Sequence, residues 1–303
     1  MLRKPRRHRL AAAALLSFMA LASPTALACK PMGLSPDELL SGDDGAFRVP
    51  PSIDPDKLVL ALAKCLPERD PVLRDSVGYA GIAAILRSGN VDAETVRALK
   101  SRLLRMLRAN DPDGFARPFA ALGLAEVARV DRVGPMFSQD ERAELVAAAT
   151  DYVENVRDYR GFDDVEGWRH GVAHGADLLM QLVLNTELDD AHLRPIVAAA
   201  LSQATAADGH AYIFGEGQRL ARPVLFAARR GVIDDDEWQA LFAPLATPPG
   251  ESWGDAFSST ADLAILHNTR QFLLAVYASV AESTNPAFSG TRDAARTALS
   301  ALP

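Results

Sequence analysis

DAETVRALKSRLLRMLRA, residues 92–109, sets Val96, Leu99, Leu103, Met106 and Leu107 three and four residues apart. At 100° per residue these side chains share one face, so the stretch predicts an amphipathic helix between breaks at Asn90 and Asn110. The same spacing returns in Leu145, Val146, Ala149, Tyr152, Val153 and Val156, behind the capping box Ser138-Gln-Asp-Glu141. Asp54-Pro55, Asp70-Pro71 and Asp111-Pro112 each set a capping acid before a first-turn proline, a recurrent start signal. Strand-like alternation is nearly absent. Residues 210–214 form one short β-like run, which reads as a loop leading into the next helix.

Helices are expected near 55–66, 70–88, 92–109, 112–130, 138–157, 164–186, 189–207, 216–230, 234–243, 258–284 and 289–301. The short connections make sequential neighbours antiparallel. The expected class is all-α, ten to eleven helices in antiparallel hairpins stacked as a HEAT-like α-solenoid or α/α superhelix. No fixed-period motif recurs, and an α/α toroid would give much the same string. Prolines in Arg117-Pro118 and Arg222-Pro223 fall inside helical patterns, where a kink is the ordinary expectation.

At the amino end, Arg3, Lys4, Arg6, Arg7 and Arg9 precede an apolar run from Leu10 to Ala22 and the triplet Ala26-Leu27-Ala28. That order is a secretory signal peptide over residues 1–28, its run of about 13 residues being too short for a permanent span. Arg6-Arg7 is a weak pointer to a twin-arginine route. Residues 29–54, rich in Pro, Gly and Asp, read as an irregular arm with one short helix behind Ser35-Pro-Asp-Glu38, and residues 55–303 as one helical domain. Without the leader, 27 basic residues face 39 acidic ones, a net charge of −12. Nucleic acid and anionic membranes are therefore disfavoured as partners, and no later stretch is apolar enough to be a transmembrane segment. A periplasmic or secreted location makes pairing of Cys29 with Cys65, the two cysteines, the simplest outcome. The alternative is a lipoprotein acylated at Cys29, although the residue three places before it is not the usual leucine.

Residues 158–177, DYRGFDDVEGWRHGVAHGAD, are the most informative for function. With Asp163 and Glu166 as a cap, a helix from 164 brings His170, His174, Asp177 and Gln181 within an arc of about 60°. Trp168, Val172, Leu179, Leu182 and Val183 then face the core, and Gly167, Gly171 and Gly175 leave a bare strip. Imidazoles four residues apart can hold one metal ion, with Asp177 completing or orienting the set, so His170, His174 and Asp177 are candidate ligands for Zn, Fe or Mn. Gly171 stands where the glutamate of H-E-x-x-H would be, which disfavours a zincin-type protease. A pocket without metal, a structural polar network and a plain solvated face are the other readings. Residues 170–186 lack Lys and Arg, unlike a normal solvated face, and glycines within a helix cost about 1 kcal/mol each relative to alanine. Close backbone or ligand approach would offset that cost.

Asp158 and Arg160 can fold back onto this helix, or pair with each other. Glu216 and Arg219, one turn apart, form either a surface ion pair or support for the histidines. His267, Asn268, Arg270 and Gln271 read as a solvated flank rather than a site.

With these segments quoted, the chain resembles an uncharacterised bacterial family, domain of unknown function 2785. The resemblance rests on Phe115-Ala-Arg-Pro-Phe119, Asp158-Tyr-Arg-Gly161, Gly167-Trp-Arg-His-Gly-Val-Ala-His-Gly-Ala-Asp177 and Glu216-Gly-Gln-Arg-Leu220, in a region covering about two-thirds of the chain after the leader. It departs from the family's pattern at Pro118, where serine is usual, and at Gly171, where alanine is usual. The resemblance implies a helical domain and no known activity. The residues themselves suggest a pocket of His170, His174 and Asp177, with Asp158, Arg160, Trp168, Glu216 and Arg219 around it, that binds a small ligand or divalent metal. Whether it is an enzyme is left open. The alternatives are an envelope-protein scaffold with a concave binding surface, and an α/α-toroid enzyme acting on polysaccharide, which 7% aromatic content supports weakly.

Overall fold

Each apolar stripe in the sequence becomes one rod in the computed structural model, which describes residues 29–42 and 44–303. The leader expected over 1–28 lies outside the described residues. The chain is all-α, with twelve α-helices among the described residues: α1 (Pro36–Leu39), α2 (Pro55–Leu62), α3 (Ala80–Arg87), α4 (Ala93–Arg108), α5 (Ala116–Val133), α6 (Gln139–Glu154), α7 (Gly171–Val183), α8 (Leu193–Ser202), α9 (Glu216–Arg230), α10 (Asp235–Phe242), α11 (Thr260–Val280) and α12 (Ser289–Ser300). Capping boxes close the starts of α1 and α6 as their sequences require, and Asp54 caps α2.

The helices pack in two rows. In one, α3 contacts α5, α5 contacts α7, α7 contacts α9 and α9 contacts α11. In the other, α2, α4, α6, α8, α10 and α12 follow one another in the same way. Sequential partners join the rows, α4 with α5, α6 with α7 and α8 with α9. One contiguous apolar cluster runs between them from Leu39 to Ala298. Val96, Leu99, Leu103 and Leu107, the stripe that predicts α4, are all buried in it.

Three local departures shape the site. Residues 70–88 are not one α-helix, because Val72–Tyr79 winds as a wider π-helix before α3 begins. The stretch from 164 is not helical either: Phe162–Asp163 (β1) and Gly167–Trp168 (β2) pair as an antiparallel hairpin, and α7 starts only at Gly171. Residues 112–115 form a turn instead of helix, since the Asp111 carboxylate accepts from Gly114 N at 3.0 Å and Arg117 N at 2.8 Å. Pro118 thereby falls in the first turn of α5, where no kink is needed, while Pro223 does sit inside α9.

Cys29 and Cys65 are disulfide-bonded with their Cα atoms 5.2 Å apart. The bond fixes the arm to the end of α2, helped by Cys29 N donating to Glu68 Oε1 at 2.8 Å. Gly81 lets the arm lie flat, since a Cβ there would stand 2.6 Å from the Phe47 ring. No described helix is long and apolar enough to cross a membrane.

Candidate functional site

The hairpin decides where the histidines go. Asp163 Oδ1 accepts from Val165 N and Glu166 N, both at 2.8 Å, and Gly167 takes a positive φ of 71° to turn the chain back. Arg74, with a fully buried side chain, holds the hairpin from beneath through Nη2 to Glu166 O at 2.8 Å. Its other N–H groups reach Glu68 O, Arg69 O and the Asp75 carboxylate, and its guanidinium lies 4.3 Å from the Phe115 ring centre. His170 then turns through the left-handed region at φ 56° and α7 begins.

Because His170 precedes the helix, its ring is not stacked one turn below His174 as an unbroken helix would place it. It lies against Trp168 instead, with ring centres 4.7 Å apart and planes 20° from parallel. Trp168 is accordingly not a core residue: it is 38% exposed and flanks the site with Phe214 and Phe162. His174 sits deeper, with its ring centre 5.0 Å from that of Phe119 and 5.9 Å from that of His170.

These rings wall a cavity of about 490 Å³ between the π-helical turn, α5, the hairpin and the start of α9. Trp168, His170, His174 and Arg219 line it, joined by Asp75, Tyr79, Phe119, Leu122, Phe214, Gly215, Gln218 and Arg222. His170 Nε2 and His174 Nδ1 are buried ring nitrogens with no hydrogen-bond partner. Burial chiefly, and the Arg219 charge after it, push His170 down to about 4, with the Phe214 carbonyl pulling the other way. Burial, then His170 and Arg219, push His174 down to about 3. Both rings are therefore neutral at pH 7, the form that accepts a proton or a hydrogen bond. Glu216 is buried behind them with Oε1 3.9 Å from His170 Nε2, too long for a hydrogen bond, and a neutral imidazole makes no ion pair with it. Its other oxygen accepts from Phe214 N at 2.9 Å.

The metal set of the sequence does not assemble. Asp177 turns to Arg219, which it binds by a short ion pair, and stands 3.9 Å from Arg222 Nη1. Among the described residues no group of three His, Cys, Asp or Glu side chains is placed to hold a metal ion. Asp158 and Arg160 stand apart from the cavity as well. They pair with each other, Arg160 Nε donating to Asp158 Oδ1 at 2.8 Å, and Asp158 borders a separate small recess behind Gly171. The glycine strip serves helix packing: a Cβ on Gly175 would stand 2.6 Å from Val153 Cγ2, and one on Gly171 3.1 Å from Tyr152 Oη. Asn268 is no solvated flank, being buried and bonded to His210 O and Tyr212 N in the loop before α9.

Eight of the lining residues are not among the site residues expected from the sequence, Tyr79, Asp75 and Phe214 among them. Tyr79 and Asp75 belong to the π-helical segment Val72–Tyr79, one turn apart on the side that lines the cavity. Burial first and then Glu126 push the Tyr79 hydroxyl up to about 12, and burial pushes Asp75 up against the opposing pull of Arg74. Phe214 had a signal in Gly161, where any Cβ would overlap its ring at 1.9 Å.

No curated protein and no solved structure matches the chain. A family model described as a protein of unknown function (DUF2785) matches residues 103–278, more than half of the sequence and the span that holds α5, α7, α9 and both histidines, and the chain belongs to that family.

Proposed function

We propose that this chain is an exported stack of helical hairpins, HEAT-like in its two rows, whose histidine-walled cavity binds a small organic ligand. The observation that carries the reading is the pair of neutral, buried imidazoles at one cavity, each with a ring nitrogen that nothing in the fold satisfies. An unsatisfied buried polar atom costs about 1–3 kcal/mol, a cost that a bound partner removes. The cavity volume falls in the range of small-molecule sites, and its walls combine aromatic surface with a few polar groups, as such sites do. If chemistry follows binding, the His170 imidazole is the candidate base once the ligand or Glu216, 3.9 Å from its Nε2, raises its pKa toward neutrality. Export is supported by the leader pattern and by the Cys29–Cys65 bond, which suits an oxidising compartment and leaves no thiol at Cys29 for a lipid.

A small-molecule library screened by thermal shift, with hits repeated on His174→Phe, tests the binding reading. Hits that stabilise the native protein and vanish in the variant support it; a blank screen, or hits indifferent to the variant, refutes it. Amino-terminal sequencing of protein recovered from the cell envelope tests export, with Cys29 the expected first residue.

A further inference from the structure

The cavity has an unbalanced charge on one wall. Arg219 and Arg222, one turn apart on α9, share the single carboxylate of Asp177, the second only at 3.9 Å. Arg222 keeps about half of its side chain in solvent, at 49% exposure, and both arginines line the cavity. The nearby acid Asp75 does not balance them, since Arg74 Nε and Nη2 hold its two oxygens at 2.9 and 3.2 Å. Gly215 lines the same wall as the residue preceding α9, where no side chain caps the helix, and no atom lies within 4 Å of where its Cβ would stand. The buried Glu216 carboxylate in the first turn of α9 offsets the positive end of that helix, so the Arg222 guanidinium, with no carboxylate of its own, is the charge that faces the cavity. The same cavity is lined by the Phe119, Trp168 and Phe214 rings and by the two nine-tenths-buried histidines with unpartnered nitrogens that lead us to read the space as a ligand cavity.

We infer that the ligand is an organic acid, its carboxylate or phosphate held by Arg222 and Arg219 and its apolar body laid against the aromatic wall. This inference rests on the binding reading above and adds the ligand's charge and its orientation. Guanidinium is suited to either anion, since its planar N–H fork matches two oxygens at once. Within a chain that is otherwise strongly acidic, such a spot selects anions locally, because screening confines the wider negative field to about 8 Å at physiological salt.

Calorimetric titration of the protein with benzoate, phenyl phosphate, benzyl alcohol, benzylamine and inorganic phosphate tests the inference. The expected result is binding of benzoate or phenyl phosphate at least about tenfold tighter than benzyl alcohol, benzylamine or inorganic phosphate. The stronger of the two acids identifies the anion. Arg222→Gln, a change at an exposed position, should remove about that tenfold gain while the melting temperature stays within a degree or two. Benzyl alcohol binding as tightly as the acids, a preference for benzylamine, or acids bound equally by the variant would overturn the assignment while leaving a binding cavity in place. No binding by any of the five overturns it as well, and the library screen then decides separately whether the cavity binds anything.

Discussion

The two ends of α7 bury polar groups in opposite ways. At the carboxyl end, Asp131 is 1% exposed and fully engaged: it accepts from Met136 N, Phe137 N, Arg142 Nε and Asn185 Nδ2, all between 2.7 and 2.8 Å. That knot ties the end of α5, the start of α6 and the residues after α7, and those bonds, the Arg142 one foremost, outweigh burial and hold Asp131 below the usual carboxylate range. At the amino end, His170 and His174 are almost as deeply buried, yet each has a nitrogen with no partner. Burial with every bond made marks architecture. Burial with bonds left open, beside a cavity, marks a place that awaits another molecule.

The contrast can be broken first at the satisfied end. Asp131→Ala strands the Arg142 guanidinium and should cost about 3–5 kcal/mol in urea unfolding, the usual penalty for removing one member of a buried ion pair. A cost below about 1 kcal/mol would show that the knot does not hold the helices together.

Acid should act at the open end. Both imidazoles have folded values near 4 and 3 against an ordinary 6.5, so the unfolded chain takes up protons that the folded chain refuses. Stability should therefore fall as the pH drops below 6.5, by about 2 kcal/mol for each ring between pH 7 and pH 5. Urea midpoints across that range check the slope, and His174→Phe should remove about half of it. A flat profile would mean that the rings are already hydrated.

Gly175→Ala tests the face of α7 turned away from the cavity. The new methyl meets Val153, and overpacking should destabilise by about 1–3 kcal/mol, partly offset by better helix propensity. A gain in stability would restore the idea that the glycines leave room for a ligand. The smallest change is expected from His174→Phe at pH 7. It removes an unsatisfied nitrogen, but also the ring N–H bonded to the Pro118 carbonyl, and the slightly larger phenyl ring can expand into the cavity, so unfolding free energy should stay within about 1 kcal/mol of the parent. A loss comparable to that of Asp131→Ala would make His174 structural.

Much of the satisfied architecture was legible in the sequence. The apolar stripe of α4 and the capping box at Ser138 depend on neighbours within a turn or two, and both appear where their residues dictate. The start of α7 was not legible, because Asp163 accepts from Val165 N and Glu166 N in the hairpin just as an N-cap accepts from the first turn of a helix. The local chemistry is the same in both, and the choice falls to Gly167 and to Arg74, 92 positions from the carbonyl it anchors. Asp177 misled for a similar reason: helical spacing places it with the histidines, but its partner comes from α9. The histidines, Trp168 and Arg219 line the cavity beside Tyr79 and Asp75, which come from a segment about 90 residues earlier in the chain whose approach no local pattern announces.

The left-handed corner at His170 restricts how this cavity can be probed by mutagenesis. At φ 56° most side chains crowd their own main chain, and glycine, asparagine and aspartate are the residues that tolerate such a corner best. An alanine there would blend two losses, the imidazole and the comfort of the bend that launches α7. Asparagine removes the ring while respecting the bend, which makes His170→Asn the cleaner probe of what the imidazole itself contributes.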